Sequence, residues 1–229
     1  VVVAKNGVEI LNVEIPKPKK NEVLIKVFSC GLNRADLMVA DGGTHGSSGG
    51  SGTIVGMEFS GEIIEFGSEV NGFSIGDRVM CSGVSAWAEY AITDWGRVIK
   101  IPDNNMDFDV ASTLPIALAT MHNAIMTVGE FKKGQSILIQ GASSGVGLMG
   151  LQIGKYMGAK IVIGSSTKIE KHNRLKEIGA DLVIDSKNSE WVNQVLDHTD
   201  GEGVDLIIDQ LSGYTVNQNI SATKIKGNI

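Results

Sequence analysis

The sequence predicts two domains of different class, an all-β domain over residues 1–104 and a parallel α/β domain over residues 105–229. Three observations lead to this division. Short β-rich segments separated by Gly, Asp, Asn and Ser fill the first part. Short apolar strands alternate with helical segments in the second part, which is typical of a parallel sheet. A glycine-rich turn directly follows the first of those apolar strands.

Composition and charge exclude several classes of protein. The chain has 229 residues, of which 42% are hydrophobic, so it can bury a core and is not an intrinsically disordered protein. A net charge of −6 provides no basic field for nucleic acid or an anionic membrane. No apolar run approaches the roughly 20 residues that cross a bilayer, and the N-terminus lacks a signal-peptide layout. We therefore expect a cytoplasmic protein without nucleic-acid or membrane partners.

The short β-rich segments predict a small barrel or sandwich in the first domain. Asn6-Gly7 lies between Val1–Ala4 and Val8–Leu11 and predicts a hairpin, because both turn residues tolerate positive φ. Glycine-rich Asp41–Gly52 has little to bury and is expected to be mobile, either as a surface excursion or as a lid. Four further strands are predicted at Val23–Phe28, Gly61–Phe66, Arg78–Met80 and Glu89–Ile92.

The second domain begins where helical periodicity replaces the β texture. Val110–Val128 is predicted to be helical and divided at Pro115. Thr167 and Glu170 have the spacing of a capping box for a helix that ends at Gly179. Strands are predicted at Ser136–Gln140, Lys160–Gly164, Asp181–Asp185 and Val204–Asp209, with helices at Gly145–Met157, Lys168–Ile178 and around Glu190–Leu196.

The turn Gly141–Gly147 predicts a dinucleotide-binding site. It lies between a buried strand and a helix, which is the context that such a glycine fingerprint requires. Gly145 lets the backbone approach a pyrophosphate, and the helix N-terminus offers unpaired N–H groups to the anion. Gly147 and Gly150 would let the helix pack closely on the sheet, and the alternative is that all these glycines serve packing alone. The predicted cofactor contacts here are Ser143, Ser144, Gly145 and Val146.

The residues after the second parallel strand predict NADP(H) as the cofactor. An NAD site usually places Asp or Glu about 20 residues beyond the fingerprint, to accept from the ribose 2′-hydroxyl. Here Ser165, Ser166 and Thr167 occupy that region, and Lys171 follows one turn later. A carboxylate would repel a 2′-phosphate, whereas hydroxyls and an ammonium would hold it. Ser165, Ser166 and Lys171 are therefore predicted cofactor contacts, unless Lys171 belongs to an ordinary solvated helix face.

Five motifs occur in a fixed order along the chain. They are Asn33–Met38, Gly56–Gly61, Gly76–Val79, Leu114-Pro115 followed by Ala119-Thr120, and Ile137–Gly147. Together they resemble the zinc-free quinone oxidoreductase (zeta-crystallin-like) branch of the medium-chain dehydrogenase/reductase superfamily, over essentially the whole chain. The resemblance implies a GroES-like β-barrel domain followed by a Rossmann NADP-binding domain, with substrate and nicotinamide in the cleft between them.

The resemblance also implies roles for three residues in a reaction without metal. Zinc alcohol dehydrogenases similar to this chain carry Cys at the position of Asn33 and His at that of Met57, and Asn and Met do not replace those ligands. Asn33 would then donate to the developing oxyanion, with Asp36 supporting it and Thr120 facing the nicotinamide carboxamide. The alternatives are structural: Asn33 forms a turn and caps the next segment, Asp36 terminates a helix, and Thr120 bonds its own helix backbone.

Some positions depart from the branch. Met38 stands where a tyrosine near the substrate is common, and Ser186 stands where an aromatic residue packs on the cofactor. Ser186 is a predicted cofactor contact, but it offers less area for stacking than an aromatic residue. The histidines His122, His172 and His198 have no partner spacing and are predicted to be surface or helix residues.

The implied activity is hydride transfer from NADPH to a quinone. Two alternatives stay open: reduction of 2-alkenals or enones, which are also flat conjugated carbonyls, and a non-catalytic NADP-binding module. Relatives of this type continue well beyond Ile229, so we expect a chain truncated at its C-terminus, with Gly227–Ile229 as only a stub of a fifth strand, or a short form that has lost activity. For the complete chain the resemblance implies a homodimer.

Overall fold

The computed structural model describes residues 1–5, 7–46, 48–102 and 105–229, and only the backbone of Tyr214. The chain forms two compact units, Val1–Ile116 and Ala117–Ile229. Three sequence predictions involve positions outside the described residues: Asn6 of the predicted hairpin turn, Ser47 of the glycine-rich segment, and Asn104 at the predicted domain boundary.

The first unit is built on an antiparallel sheet. Its strands are β1 (Val2–Ala4), β2 (Gly7–Glu9), β3 (Glu22–Cys30), β4 (Thr44–His45), β5 (Ser48–Gly49), β6 (Glu58–Phe66), β7 (Arg78–Ser82), β8 (Tyr90–Asp94) and β9 (Val98–Lys100). Its helices are α1 (Arg34–Ala40), α2 (Phe108–Ser112) and a 3₁₀ turn, Trp95–Arg97. Five strands pair in the order β8-β3-β6-β7-β9, while β1 pairs with β2 and β4 pairs with β5.

The period-2 pattern places one face of this sheet in a core. Val23 and Ile25 on β3 are fully buried against Phe59 and Ile63 on β6. The four strands predicted after the hairpin are all present, and each is longer than expected. The glycine-rich segment contains the β4–β5 pair where composition predicts no strand, and the Thr53 hydroxyl donates to the carbonyl of the last residue of β5 at 2.6 Å.

The second unit is a parallel sheet with helices between its strands. Its elements are α3 (Pro115–His122), a π-helical segment (Asn123–Val128), β10 (Ser136–Ile139), α4 (Gly145–Tyr156), β11 (Ile161–Ser165), a 3₁₀ turn (Ile169–Lys171), α5 (His172–Ile178), β12 (Leu182–Ile184), α6 (Trp191–His198), β13 (Val204–Ile208), a 3₁₀ turn (Gly213–Thr215), α7 (Val216–Ala222) and β14 (Thr223–Asn228). The strand order β12-β11-β10-β13-β14 is that of the Rossmann fold, as the resemblance implies.

The strands β10 to β13 of this sheet are covered on both faces. Ile137 and Ile139 of β10 pack in one core with Leu151 of α4, whereas Leu138 between them packs in the other core with Trp191 of α6. Burial on both faces explains why these strands are continuous apolar runs in the sequence instead of alternating ones.

Two local predictions in this unit are wrong. Thr167 does not cap the helix after β11; the Ser166 hydroxyl accepts from the Lys168 N–H instead, a 3₁₀ turn follows, and α5 starts only at His172. The fifth strand is longer than the predicted stub at Gly227–Ile229. Strand β14 begins at Thr223 and pairs with β13 across a bulge.

The described ranges, 1–5, 7–46, 48–102 and 105–229, contain no helix that is long and apolar enough to cross a membrane.

The buried indole of Trp191 gives a test of the α6 packing. Trp191→Ala should lower the free energy of unfolding by about 3–5 kcal/mol because it leaves a cavity. Trp191→Phe should cost less than about 2 kcal/mol, because it also removes an Nε1–H that is buried without a partner among the described residues. Urea denaturation followed by circular dichroism measures both values, and equal losses would contradict the assignment.

Candidate functional site

The glycine-rich turn after β10 is closed by its own serine. Ser144 is the N-cap of α4: its Oγ accepts from the Gly147 N–H at 3.0 Å and donates to the Gly141 carbonyl at 2.9 Å. Gly141 has φ +68°, a left-handed conformation that favours glycine. The turn is therefore held in one shape, and the twelve-residue helix α4 starts directly from it.

The glycines of this turn have two different functions. A Cβ at Gly147 would lie 2.5 Å from the Gly141 carbonyl oxygen, and one at Gly150 would lie 3.2 Å from the Ile139 side chain. These two glycines allow α4 to pack on the turn and the sheet, as the sequence predicts. A Cβ at Gly145 would meet nothing within 4 Å. Gly145 is thus not required for packing, and the open space beside it suits a close approach of a pyrophosphate to the backbone.

Ser165, at the end of β11, has a structural role. Its hydroxyl is buried, donates to Gln140 Oε1 at 2.6 Å and accepts from the Gly141 N–H at 2.9 Å. The single hydroxyl hydrogen is therefore used inside the protein and is not free for a phosphate. The Ser165 hydroxyl thus holds the glycine turn against β11, and its predicted contact with the cofactor stays a prediction.

Ser166 and Ser143 form the hydroxyl pair nearest to the predicted phosphate site. The Ser166 hydroxyl donates to Ser143 Oγ at 3.1 Å and accepts from the Lys168 N–H at 3.2 Å. Ser143 accepts this bond and keeps its own hydrogen available for a further acceptor. Lys171 is exposed in the 3₁₀ turn that follows. The structure thus brings the glycine turn and the end of β11 together at two serines.

The other predicted residues have simpler surroundings. Val146 is half-buried in the first turn of α4, and Ser186 is buried after β12, where it interacts within the chain. Thr120 is exposed on α3 and lines an open pocket of about 940 Å³ together with Asn123 and Asp209. Among the described residues, the Thr120 hydroxyl makes no hydrogen bond to its own helix. Its predicted contact with the nicotinamide stays a prediction.

A buried polar network beneath the turn was missed by sequence reasoning. The Gln140 side chain donates to Asn219 Oδ1 at 2.8 Å, and the Asn219 amide donates to Asp209 Oδ2 at 3.0 Å. The Gln210 side-chain Nε2 donates to the Gln140 backbone carbonyl at 3.0 Å, and Gln210 Oε1 lies 3.4 Å from Ser144 Oγ. The only sequence signal was a polar Gln140 at the end of an apolar strand. The network links the carboxyl ends of β10 and β13 to the glycine turn.

In the first unit, Asn33 and Asp36 lie at the start of α1. Asn33 is the N-cap of α1, and its backbone N–H donates to Asp36 Oδ2 at 2.7 Å. The Asn33 amide donates to Glu58 Oε1 at 2.8 Å, and the Ile116 N–H donates to Glu58 Oε2 at 2.9 Å. Asn33 therefore occupies the N-cap position of its structural alternative, while its side-chain amide bonds Glu58. Asp36 lies in the first turn of a helix instead of terminating one. The catalytic roles of both residues stay predictions.

Burial dominates the electrostatics of this cluster. It raises the pKa of the Glu58 and Asp36 carboxyls above their ordinary values, although hydrogen bonds from backbone N–H groups partly oppose the shift. Oδ1 of Asp36 is buried without a partner among the described residues. Burial also raises the pKa of the Cys30 thiol, and the nearby Asp36 charge raises it further. Cys30 is thus held in its protonated form.

These residues do not fit a catalytic zinc ion. Zinc in proteins takes thiolate, imidazole or carboxylate ligands. The Asn33 amide instead donates a hydrogen to Glu58, Met57 offers only a thioether, and the Cys30 thiol resists ionisation. Within the described part of the chain, no group of three or more His, Cys, Asp or Glu side chains could hold a metal.

Comparison with known families assigns both units. Residues 19–103 match the alcohol dehydrogenase GroES-like domain, and residues 145–229 match the domain described as zinc-binding dehydrogenase. Among curated proteins, the chain is similar to a phenolphthiocerol/phthiocerol polyketide synthase of Mycobacterium tuberculosis. The two are 31% identical over 206 residues, which is 89% of this chain and only 9% of that protein.

Three solved structures are similar over nearly the whole chain. The CurK enoyl reductase has a TM-score of 0.87 at 25% identity, covering 98% of this chain and 70% of that chain. A quinone oxidoreductase of Pseudomonas syringae has a TM-score of 0.84 at 25% identity, covering 99% and 70%. A mycobacterial protein complexed with NADPH has a TM-score of 0.82 at 26% identity, covering 95% and 67%.

The two glycines of the first α4 turn give a matched pair of variants. Gly147→Ala should lower the free energy of unfolding by about 1–3 kcal/mol, because its Cβ meets the backbone of the turn. Gly145→Ala should change it by less than about 1 kcal/mol but raise the Kd for NADPH about tenfold, because its methyl group enters the open space. Urea denaturation and fluorescence titration separate the effects. Unchanged NADPH affinity in Gly145→Ala would contradict a pyrophosphate at this glycine.

Proposed function

Because the chain belongs to the medium-chain dehydrogenase/reductase superfamily, we propose that it is an oxidoreductase that uses NADPH to reduce quinones without a metal ion. The observation that carries this proposal is the hydroxyl pair of Ser143 and Ser166. No carboxylate occurs in the segment Ser165–Lys168, which begins at the last residue of β11. A 2′-phosphate needs donors and positive charge at this place, whereas a 2′-hydroxyl needs an acid.

The second unit provides the groups that would hold NADP(H). Ser144 fixes the turn, and Gly145 leaves room for the pyrophosphate at the N-terminus of α4, where unpaired N–H groups attract anions. Ser143 would donate its free hydroxyl hydrogen to the 2′-phosphate, and Lys171 would supply an ammonium. Val146 and Ser186 are further candidates for contact. Ser165 contributes indirectly by holding the turn.

In the proposed reaction the protein forms no covalent bond to the substrate. NADPH supplies the hydride when bound, and the protein binds, orients and stabilises charge. After donating to Glu58, the Asn33 amide retains a second hydrogen, which we propose stabilises the oxyanion that develops on the substrate. The Asp36 carboxylate supports Asn33 by accepting from the Asn33 backbone N–H, and Thr120 is proposed to contact the nicotinamide carboxamide.

Quinones are the proposed substrate class, and conjugated enals or enones are the second candidate. The similarity to a quinone oxidoreductase supports the first, and the similarity to the CurK enoyl reductase supports the second. The chain spans about 9% of the length of the polyketide synthase and about 70% of these two reductases. A non-catalytic NADP-binding module is the third possibility. A cytoplasmic location, and a homodimer for the complete chain, stay predictions.

The cofactor preference is tested by direct binding. NADPH should bind at least about tenfold more tightly than NADH, a difference of about 1.4 kcal/mol. Lys171→Glu should remove much of this preference because a carboxylate repels the 2′-phosphate, whereas Lys176→Glu, on the exposed surface of α5, should retain it. Fluorescence titration gives the dissociation constants. Equal affinity of the unmodified protein for the two cofactors would refute the NADP(H) assignment.

Turnover distinguishes the three functions. NADPH oxidation should be faster with a small quinone such as 1,4-benzoquinone than with a 2-alkenal, and it should survive exhaustive chelation. Faster oxidation with the 2-alkenal would favour enal or enone reduction. Tight NADPH binding without turnover of either substrate would favour the non-catalytic module.

A further inference from the structure

The loop between β11 and α5 is closed by a histidine that the sequence analysis treats as a surface residue without a partner. His172 Nε2 lies 2.8 Å from the Ser166 carbonyl oxygen, so the first residue of the loop is tied to the first residue of α5. Two shorter-range bonds lie inside this closure: the Lys168 N–H donates to Ser166 Oγ at 3.2 Å, and the Lys171 N–H donates to the Lys168 carbonyl at 3.0 Å.

The partner determines which nitrogen of His172 carries hydrogen. A carbonyl oxygen only accepts, so Nε2 must be the donor in this bond. The ring is half-buried, and its Nε2–H is directed to the backbone of Ser166. A residue whose side chain has no donor long enough to reach the Ser166 carbonyl would leave that carbonyl without this partner.

His172 bonds the Ser166 carbonyl, whereas β12 bonds only the Ser166 N–H. The Ser166 N–H donates to the Ile184 carbonyl at 2.9 Å, which attaches the residue to the neighbouring strand. The Ser166 carbonyl has His172 as its partner, and the Ser166 hydroxyl lies 3.1 Å from Ser143 Oγ. The orientation of the hydroxyl pair therefore depends on both backbone restraints.

The same closure restricts the charged groups of the loop. Lys168 and Lys171 both lie between Ser166 and His172, and both side chains are exposed. Two lysines and one acid, Glu170, leave this short loop with a net positive charge. Binding an anion to a loop that is already ordered costs less conformational entropy than binding to a free one.

We propose that His172 is a positioning residue that determines the preference for the 2′-phosphorylated cofactor. It acts through the Ser166 carbonyl: the fixed Ser166 hydroxyl holds Ser143, and the closed loop holds Lys171, where a 2′-phosphate would lie. This inference rests on the proposed use of NADP(H). Because NADH has no 2′-phosphate, its affinity should depend only weakly on the order of the loop.

The test compares three variants by titration with NADPH and with NADH. His172→Ala should raise the Kd for NADPH about tenfold and that for NADH less than about twofold, since only NADPH uses the ordered loop. His172→Gln should keep the NADPH affinity within about threefold, because its amide N–H can still reach the Ser166 carbonyl. His198→Ala, at the exposed end of α6, is the matched control and should change neither constant.

Each outcome has a definite meaning. Equal losses of NADPH and NADH affinity in His172→Ala, together with a lower unfolding midpoint, would show a merely structural bond and overturn the proposal. Unchanged binding of both cofactors would overturn it as well. If the unmodified protein binds NADPH and NADH equally, the proposed cofactor is wrong. If it prefers NADPH and His172→Ala keeps that preference, only the role of His172 is wrong.

Discussion

The carboxyl ends of the parallel strands in the second unit depend on the side chain of Gln140. This amide is completely buried where β10 ends, and it accepts from Ser165 on β11 while it donates to Asn219 on α7. If the side-chain amide of Gln140 or Asn219 or the Ser165 hydroxyl lost its partner, the free energy of unfolding would fall by about 1–3 kcal/mol. The three groups satisfy one another, so the ends of the strands and α7 are held in one arrangement. The glycine turn is attached to this arrangement through the Gly141 N–H.

This network gives two neighbouring serines opposite roles. Ser165 is the last residue of β11, and its side chain is directed into the protein towards Gln140. The next side chain along an extended strand points to the other side, so Ser166 faces Ser143 on the turn. One hydroxyl therefore supports the turn, and the other donates to Ser143, whose own hydrogen stays available for a further acceptor. The two adjacent serines therefore have different hydrogen-bond partners.

Local patterns in the sequence predicted most of the fold and only part of the site. The apolar runs indicated the parallel strands, and Gly147 and Gly150 were correctly assigned to packing, because both signals extend over a few residues. The bond between Gln140 and Asn219 joins positions 79 residues apart, and that between Asn33 and Glu58 joins positions 25 apart. Such bonds leave no periodic trace in a sequence. The partners of Ser165 could not be predicted for this reason: composition shows a hydroxyl but does not show which groups it bonds.

The first unit illustrates how an asparagine can take the place of a positive charge. Glu58 is almost completely buried, and burial opposes its ionisation unless donors surround its oxygens. Each oxygen here has one neutral donor, the Asn33 amide for Oε1 and the Ile116 N–H for Oε2. A thiol at position 33 would be a far weaker donor, and it would leave Oε1 in need of a cation. The Asn33 amide is thus engaged with Glu58 as a neutral donor. Replacing Asn33 would disturb Glu58 as well as any substrate, so loss of activity in an Asn33 variant is not sufficient evidence of catalysis by Asn33.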